Sequence, residues 1–425
     1  MEIEGVVPSY MDKEGRTALI VAAMVENEKA VDILLEDPTL DPNHRDQTGR
    51  TALAWAALRS HRSILARLLA MESIDADIVD VNGKTPLLEL CTSLDNWNSG
   101  AENEAVIRQL LASGRVNINA RDSEGRVAVM MVAKTATEAH FRLFLSQPGI
   151  ELEAEDENRA NVLLHAGIGE NWRGVEILLE LGRLDLNCKI SDEASHELRL
   201  RGQTIFSMAM AHGPERVRER LFMENDIDVN TQDRNGNTLL KLATEYGHAS
   251  IVDRILGIEG VNPNITAHAG ETDLMAAING LSEEMADTLL KHKSVDPEKR
   301  NPDGRTPLSL AAERGLLQTV RRLLSFDQVD PDPRDNDGRS PLSWTISPSW
   351  NLRPQDTAAS RKKVAQELLE TGRVDLNAED TEGYTLVERA IGDSRGDVIM
   401  ELLLAREDVN LNRVDKQGGT FSRWF

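Results

Sequence analysis

The sequence predicts an all-α repeat solenoid of about eleven hairpin–helix–helix repeats followed by a truncated twelfth. Three observations carry this prediction. The pattern D-x-x-G-x-T-x-L recurs as "DKEGRTAL" at 12, "DQTGRTAL" at 46, "DVNGKTPL" at 80 and "DRNGNTLL" at 233, with near variants at 122, 301, 335 and 380. Its glycines (Gly15, Gly49, Gly83, Gly125, Gly202, Gly236, Gly270, Gly304, Gly338, Gly383 and Gly418, with Arg159 standing in once) are spaced 34, 34, 42, 34, 43, 34, 34, 34, 34, 45 and 35 residues apart. Two apolar stretches of helical period follow each of these positions except Gly418. One array over 1–425 is therefore expected, because such chains grow by adding repeats rather than by enlarging one core.

Each part of the repeat has a physical reason. Asp opening and Gly closing a four-residue turn suit a tight hairpin, since glycine tolerates a positive φ. The Thr two residues beyond that Gly can cap a helix by accepting from an exposed backbone N–H. Proline directly after it, as Pro86, Pro307 and Pro341, fits the first helical turn. Counting from the turn glycine, an apolar residue at +4 and small residues at +7 and +8 give one buried face. Pairs such as Ala56-Ala57 and Ala311-Ala312 keep that face narrow, so neighbouring helices can approach closely. A second helix carries a Leu-Leu pair, for example Leu68-Leu69 and Leu323-Leu324, and "VDPD" or "VNPN" returns the chain to the next hairpin.

With "GRTPLSLAAERG" at 304–315, the repeat resembles the ankyrin repeat, and the resemblance covers essentially the whole chain. A tetratricopeptide array shares the period but would not place a turn and a capping Thr at every boundary. The "VDPN"-type returns and the Trp in the first helix look most like ankyrin arrays of filamentous fungi. The resemblance implies L-shaped repeats stacked into a curved solenoid, with hairpins and first helices forming a concave surface.

Composition removes several function classes. A net charge of 48 − 71 = −23 repels phosphate backbones and anionic lipid, so neither nucleic acid nor membrane is an expected partner. The acids are uneven: "GIELEAEDENR" at 149–159 holds five of them, whereas Lys291 to Arg373 holds 15 Lys or Arg against 12 Asp or Glu. No stretch approaches the roughly 18 apolar residues of a membrane helix, and no secretory signal is visible. Two distant cysteines, Cys91 and Cys188, exclude a disulfide framework and a zinc ribbon and point to the cytoplasm or nucleus. No cofactor or metal is expected, since the His196-Glu197 pair lacks the second histidine of a zincin motif. A monomer is expected.

Position +6 of the first helix lies about 200° round from +4 and looks toward the concave side. It reads Val21, Trp55, Glu89, Met131, His165, Met208, Leu242, Ala276, Leu310, Trp344 and Arg389. Position +10 lies on nearly the same side and includes Arg59, Thr135, Gly169, His212, Tyr246, Arg314 and Asp393. Two readings stand: the stripe packs first helices against one another, or it lines a partner groove centred on His165 with Met131 and Met208. Gly167 and Gly169 weaken that helix by roughly 1 kcal/mol each relative to alanine, and either leave a dent beside His165 or mark a degenerate repeat. His61 and His248 share one helix-turn position and read as structural.

Three insertions interrupt the period: 94–103 and 347–360 between the helices of the third and tenth repeats, and 189–201 in a hairpin finger. Trp97 and Trp350 either pin their loops or meet a partner. Packed helices lie about 8–10 Å apart, so the two helix-turn insertions stand roughly 60 Å apart and do not share a pocket. At the end of the chain Phe421, Trp424 and Phe425 either cap the eleventh repeat or lead to a further domain; Met1 favours a complete product.

The leading functional expectation is a protein–protein interaction scaffold holding a polypeptide on its concave face and hairpin tips. Its candidate contacts are Trp55, Glu89, Met131, His165, Met208, His212, Tyr246, Trp344 and Arg389. The alternative is a small-molecule-binding or unconventional enzymatic array near repeats five and six. There His165 or His212 would act as acid/base with Asp192, Glu193 or Glu197 of the finger. A weaker third reading makes the array the recognition arm of a larger signalling protein.

Overall fold

The carboxylate of each turn Asp organises the hairpin that follows it. In repeat two, Asp46 Oδ1 accepts from the backbone N–H of Thr48 (2.8 Å) and of Arg50 (3.0 Å), while Gly49 N–H donates to the Asp46 carbonyl at 2.9 Å. Gly49 has φ +81°, and a Cβ there would lie 2.8 Å from the Val81 nitrogen of the next hairpin. Glycine is thus required twice, by its own backbone and by its neighbour. Arg159 adopts the same left-handed region at φ 61°, a strained conformation for a residue with a Cβ. Adjacent hairpins join tip to tip: Val81 N–H donates to Thr48 O, and Ser123 N–H to Asn82 O.

The first helices start where the capping residues place them. Thr51 Oγ1 accepts from Ala54 N–H at 3.2 Å and Thr306 Oγ1 from Ser309 N–H at 3.3 Å. Asn161 performs the same task in repeat five, accepting from Leu164 N–H at 3.1 Å. Pro86, Pro307 and Pro341 are the first residues of their helices. The +4 leucines Leu19, Leu53, Leu87, Leu163, Leu274, Leu308 and Leu342 are all buried, as are Ala56, Ala57, Ala311 and Ala312. A fully buried leucine contributes about 1.5–3 kcal/mol, so this row is the main cohesion of each repeat.

This is a computed structural model, and it describes residues 10–93, 100–135, 137–182, 184–191, 193, 201–224, 227–233, 235–346, 358–392 and 397–410. Among them are 22 helices and no strand beyond two isolated bridges. Residues 1–227 and 228–425 form two compact units. The first holds six helix pairs, from Ala18–Met24 with Glu28–Leu35 to Ile205–His212 with Glu215–Leu221. The second holds five, from Leu239–Glu245 with Ala249–Leu256 to Leu386–Gly392 with Asp397–Leu404. Within each unit first helices pack on first helices and second helices on second helices, which makes each a repeat solenoid. No helix among the described residues is long and apolar enough to cross a membrane.

The return segments explain the "VDPN" signature. Asn43 donates from Nδ2 to Ser73 O at 2.7 Å and accepts from Asp75 N–H at 2.9 Å. Asn264 does the same with Ser294 O (2.7 Å) and Asp296 N–H (2.8 Å). An amide side chain has both a donor and an acceptor, so where Asn stands at this position it stitches two successive returns together. Asp77 has only acceptors and takes the Asn117 N–H alone. His61 is also structural, its Nδ1 lying 2.8 Å from Ala23 O of the preceding repeat.

The lengthened repeats three and ten have second helices of 13 residues, Gly100–Ala112 and Ala358–Glu370, which take in the last residues of the expected insertions. The finger closes at its base through Ile190 N–H to Gln203 O (3.0 Å) and Gly202 N–H to Ile190 O (2.9 Å). Asp192, Glu197, Trp97, Trp350, Asp393, Gly418, Phe421, Trp424 and Phe425 lie outside the described residues.

Candidate partner-binding face

The nitrogen donors at +6 all turn to one acceptor, the free carboxylate oxygen of their own hairpin. Trp55 Nε1 donates to Asp46 Oδ2 at 2.8 Å and Trp344 Nε1 to Asp335 Oδ2 at 2.9 Å. His165 Nε2 lies 2.9 Å from Asp156 Oδ2, and Arg389 Nε donates to Asp380 Oδ2 at 2.7 Å. Oδ1 is spent on the turn backbone and Oδ2 on the helix, so the aspartate ties hairpin to helix. In repeats one and four, where +6 is apolar, the residue directly after the glycine takes its place: Arg16 reaches Asp12 and Arg126 reaches Asp122, both at 2.7 Å.

This bonding shows in the electrostatics. Burial pushes the Asp46 carboxyl up, but bonds from the Thr48 hydroxyl, the Trp55 indole and the backbone of Arg50 and Thr48 outweigh it and hold Asp46 below the usual range. Glu89 goes the other way: burial raises it, and Arg50, which donates from Nε to Glu89 Oε1 at 2.6 Å, only partly offsets that. Glu89 Oε2 is buried without a hydrogen-bond partner among the described residues.

The +6 stripe is largely closed. Met131, His165, Met208, Leu310, Trp344 and Glu89 are all buried, and Trp55, Leu242 and Arg389 are half-buried. Space beside His165 is filled. A Cβ on Gly167 would meet Met208 Sδ at 2.8 Å and Ile205 Cδ1 at 2.9 Å, and one on Gly169 would fall 1.9 Å from Lys134 O. The two glycines are close-approach positions for repeats six and four, which removes the dent, one of the two alternatives for them. Among the described residues, no hydrogen bond or ion pair joins His165, His212 and Glu193. Nor does any group of three or more His, Cys, Asp and Glu stand ready for a metal there.

Val21 is exposed at +6 in repeat one, and further open positions are at +10. Tyr246 is 50% exposed and stacks at 6.3 Å on His248. Arg59, Thr135 and His212 are exposed at the same position, and Arg314, half-buried, donates to Asn279 Oδ1 at 3.3 Å. A reading confined to +6 and +10 omits the column at +1, which reaches across the same face. Arg50 meets Glu89 of the next repeat, and Arg305 meets Glu313 at 2.5 Å while lying 3.8 Å over the Trp344 ring. The recurrence of Arg or Lys at +1 (Arg16, Arg50, Lys84, Arg126, Arg305, Arg339) is the signal that finds them.

Comparison with known families agrees with this architecture. Models of the ankyrin repeat match residues 14–47 and 235–268, and a model of three ankyrin repeats in tandem matches 274–349. A search of curated proteins finds no match to the chain. Ankyrin repeats are generally protein–protein interaction modules. Turn, capping residue, paired helices and family matches together identify ankyrin repeats in this chain at 14–47, 235–268 and 274–349.

Proposed function

We propose that the chain is a non-catalytic scaffold that holds a polypeptide partner against its hairpin tips and first-helix face, as one array, in the cytoplasm or nucleus. The observation that carries this reading is Tyr246, an aromatic half open to solvent at the end of a first helix whose start and hairpin are fixed by Thr238 and Asp233. An aromatic on a rigid support gives large contact area at little conformational cost. Arg59 and His212 offer polar contacts at the same position in other repeats. His165, the residue best suited to acid–base work, spends Nε2 on Asp156. Free thiols at Cys91 and Cys188 suit a reducing compartment.

Purification from native extract tests this, with Tyr246→Ala and Arg59→Ala on the proposed face and Lys29→Ala on an exposed second-helix position. The expected result is a reproducible protein partner whose recovery falls about tenfold with a face variant, a loss of roughly 1.4 kcal/mol, and is unchanged by Lys29→Ala. A partner recovered equally with all three variants contradicts the assignment.

A further inference from the structure

The pairing rule on this face leaves one arginine over. In repeats one and four, the arginine after the turn glycine binds its own turn aspartate. In repeat two that aspartate is taken by Trp55, and Arg50 turns instead to Glu89 of repeat three. Repeat ten copies repeat two: Trp344 takes Asp335 Oδ2, and Arg339 follows Gly338. But the position of Glu89 is filled in repeat eleven by Arg389, whose charge is already answered by Asp380 (2.7 Å) and Glu382 (2.6 Å). Arg339 therefore has no ion pair among the described residues and only lies 5.1 Å from the Trp344 ring.

We propose that this face of repeats nine to eleven captures an acidic side chain of a partner polypeptide, Arg339 being the anchor and the incoming carboxylate standing where Glu89 stands between repeats two and three. The chain supplies the template itself: guanidinium at +1, indole at +6, and a carboxylate from the next layer. The chemistry is charge-assisted hydrogen bonding to Asp or Glu; in the next repeat Tyr384 is half-exposed, with Arg389 lying 4.6 Å from its ring. A whole-chain charge of −23 opposes an acidic partner, so recognition has to come from Arg339, whose guanidinium has no ion pair among the described residues, and weakens with salt. The inference rests on the proposed partner-binding role and specifies the partner's chemistry at one part of that face.

The test uses the full chain and fluorescein-labelled Glu-Ser, Gln-Ser and Lys-Ser repeat peptides, read by anisotropy. The Glu-Ser peptide is expected to bind best, about tenfold more weakly to Arg339→Ala, partly recovered in Arg339→Lys, and unchanged with Arg108→Ala on the second helix of repeat three. An unchanged thermal midpoint in Arg339→Ala keeps a binding loss from being a folding loss. Equal binding of the Glu-Ser and Gln-Ser peptides, or indifference to Arg339→Ala, overturns the inference. Inorganic phosphate displacing the peptide at equal concentration also overturns it, assigning the site to phosphate. None of these failures touches the scaffold reading, which the extract experiment decides separately.

Discussion

Trp344 and Asp335 are nine residues apart in sequence and 2.9 Å apart from indole nitrogen to carboxylate oxygen, the relation that Trp55 and Asp46 repeat at 2.8 Å. One bond fixes the angle between a hairpin and the helix it introduces. Replacing Trp55 by Phe keeps most of the ring and leaves Asp46 Oδ2 without its donor. A loss of about 1–3 kcal/mol is expected in denaturant unfolding at pH 7. Asp46 is depressed in the folded state, so its contribution is present above its unfolded pKa near 3.8 and is lost as pH falls. The difference between wild type and Trp55→Phe should therefore shrink in acid; a constant difference from pH 7 to pH 3 contradicts the carboxylate's part in it.

Gly167 and Gly169 separate packing from helix propensity. Propensity alone predicts that alanine at either site gains about 1 kcal/mol. Gly169→Ala is instead expected to destabilise by about 1–3 kcal/mol, because its Cβ meets the rigid Lys134 carbonyl. Gly167→Ala meets only the flexible ends of Met208 and Ile205 and should cost far less. Thermal melts that rank the two variants the other way contradict the close-approach assignment.

Asp273 occupies the position where Pro86, Pro307 and Pro341 begin their helices. Both of its carboxylate oxygens are buried without a hydrogen-bond partner among the described residues, and burial pushes its pKa up to about 8, with Lys241 opposing and Glu245 adding to the rise. A carboxyl raised on folding binds its proton more tightly in the native state, so stability is greatest below the unfolded value of 3.8 and declines as pH rises toward 8. Asp273→Pro is expected to stabilise the chain by on the order of 2 kcal/mol at pH 8 and by less at pH 4. Urea unfolding at the two pH values checks it; a larger gain at pH 4 reverses the sign and the account fails.

Asn264 is one rung of the return ladder, with two bonds to the next repeat. Asn264→Ala should cost about 1–2 kcal/mol even though the loop is exposed. Hydrogen exchange at the Asp296 amide should accelerate with it. Unchanged exchange there would mean the rung is not formed.

The repeat, its caps and its core were legible because each depends on contacts within a few residues: Asp with Gly, Thr with the helix start, +4 with +7 and +8. The +6 stripe was legible as a row but not in its purpose. Its meaning depends on which residue wins Oδ2 of the turn aspartate, a competition between Trp344 and Arg339, or Trp55 and Arg50, that no single window displays. The two glycines of repeat five misled for a related reason: helix propensity is local, whereas Lys134, Ile205 and Met208 belong to neighbouring repeats. The orphaned Arg339 emerges only when repeats two and ten are laid side by side, and then Arg389 in place of Glu89 is plain in the sequence.

The central claim is that partners meet the hairpin and first-helix face. The most direct test places a photo-crosslinking amino acid at Tyr246 and, separately, at Lys29, in cells that make the full chain. A discrete protein adduct from position 246 and none from position 29 is the predicted result. No protein adduct at 246, or the same adducts from both positions, would contradict it.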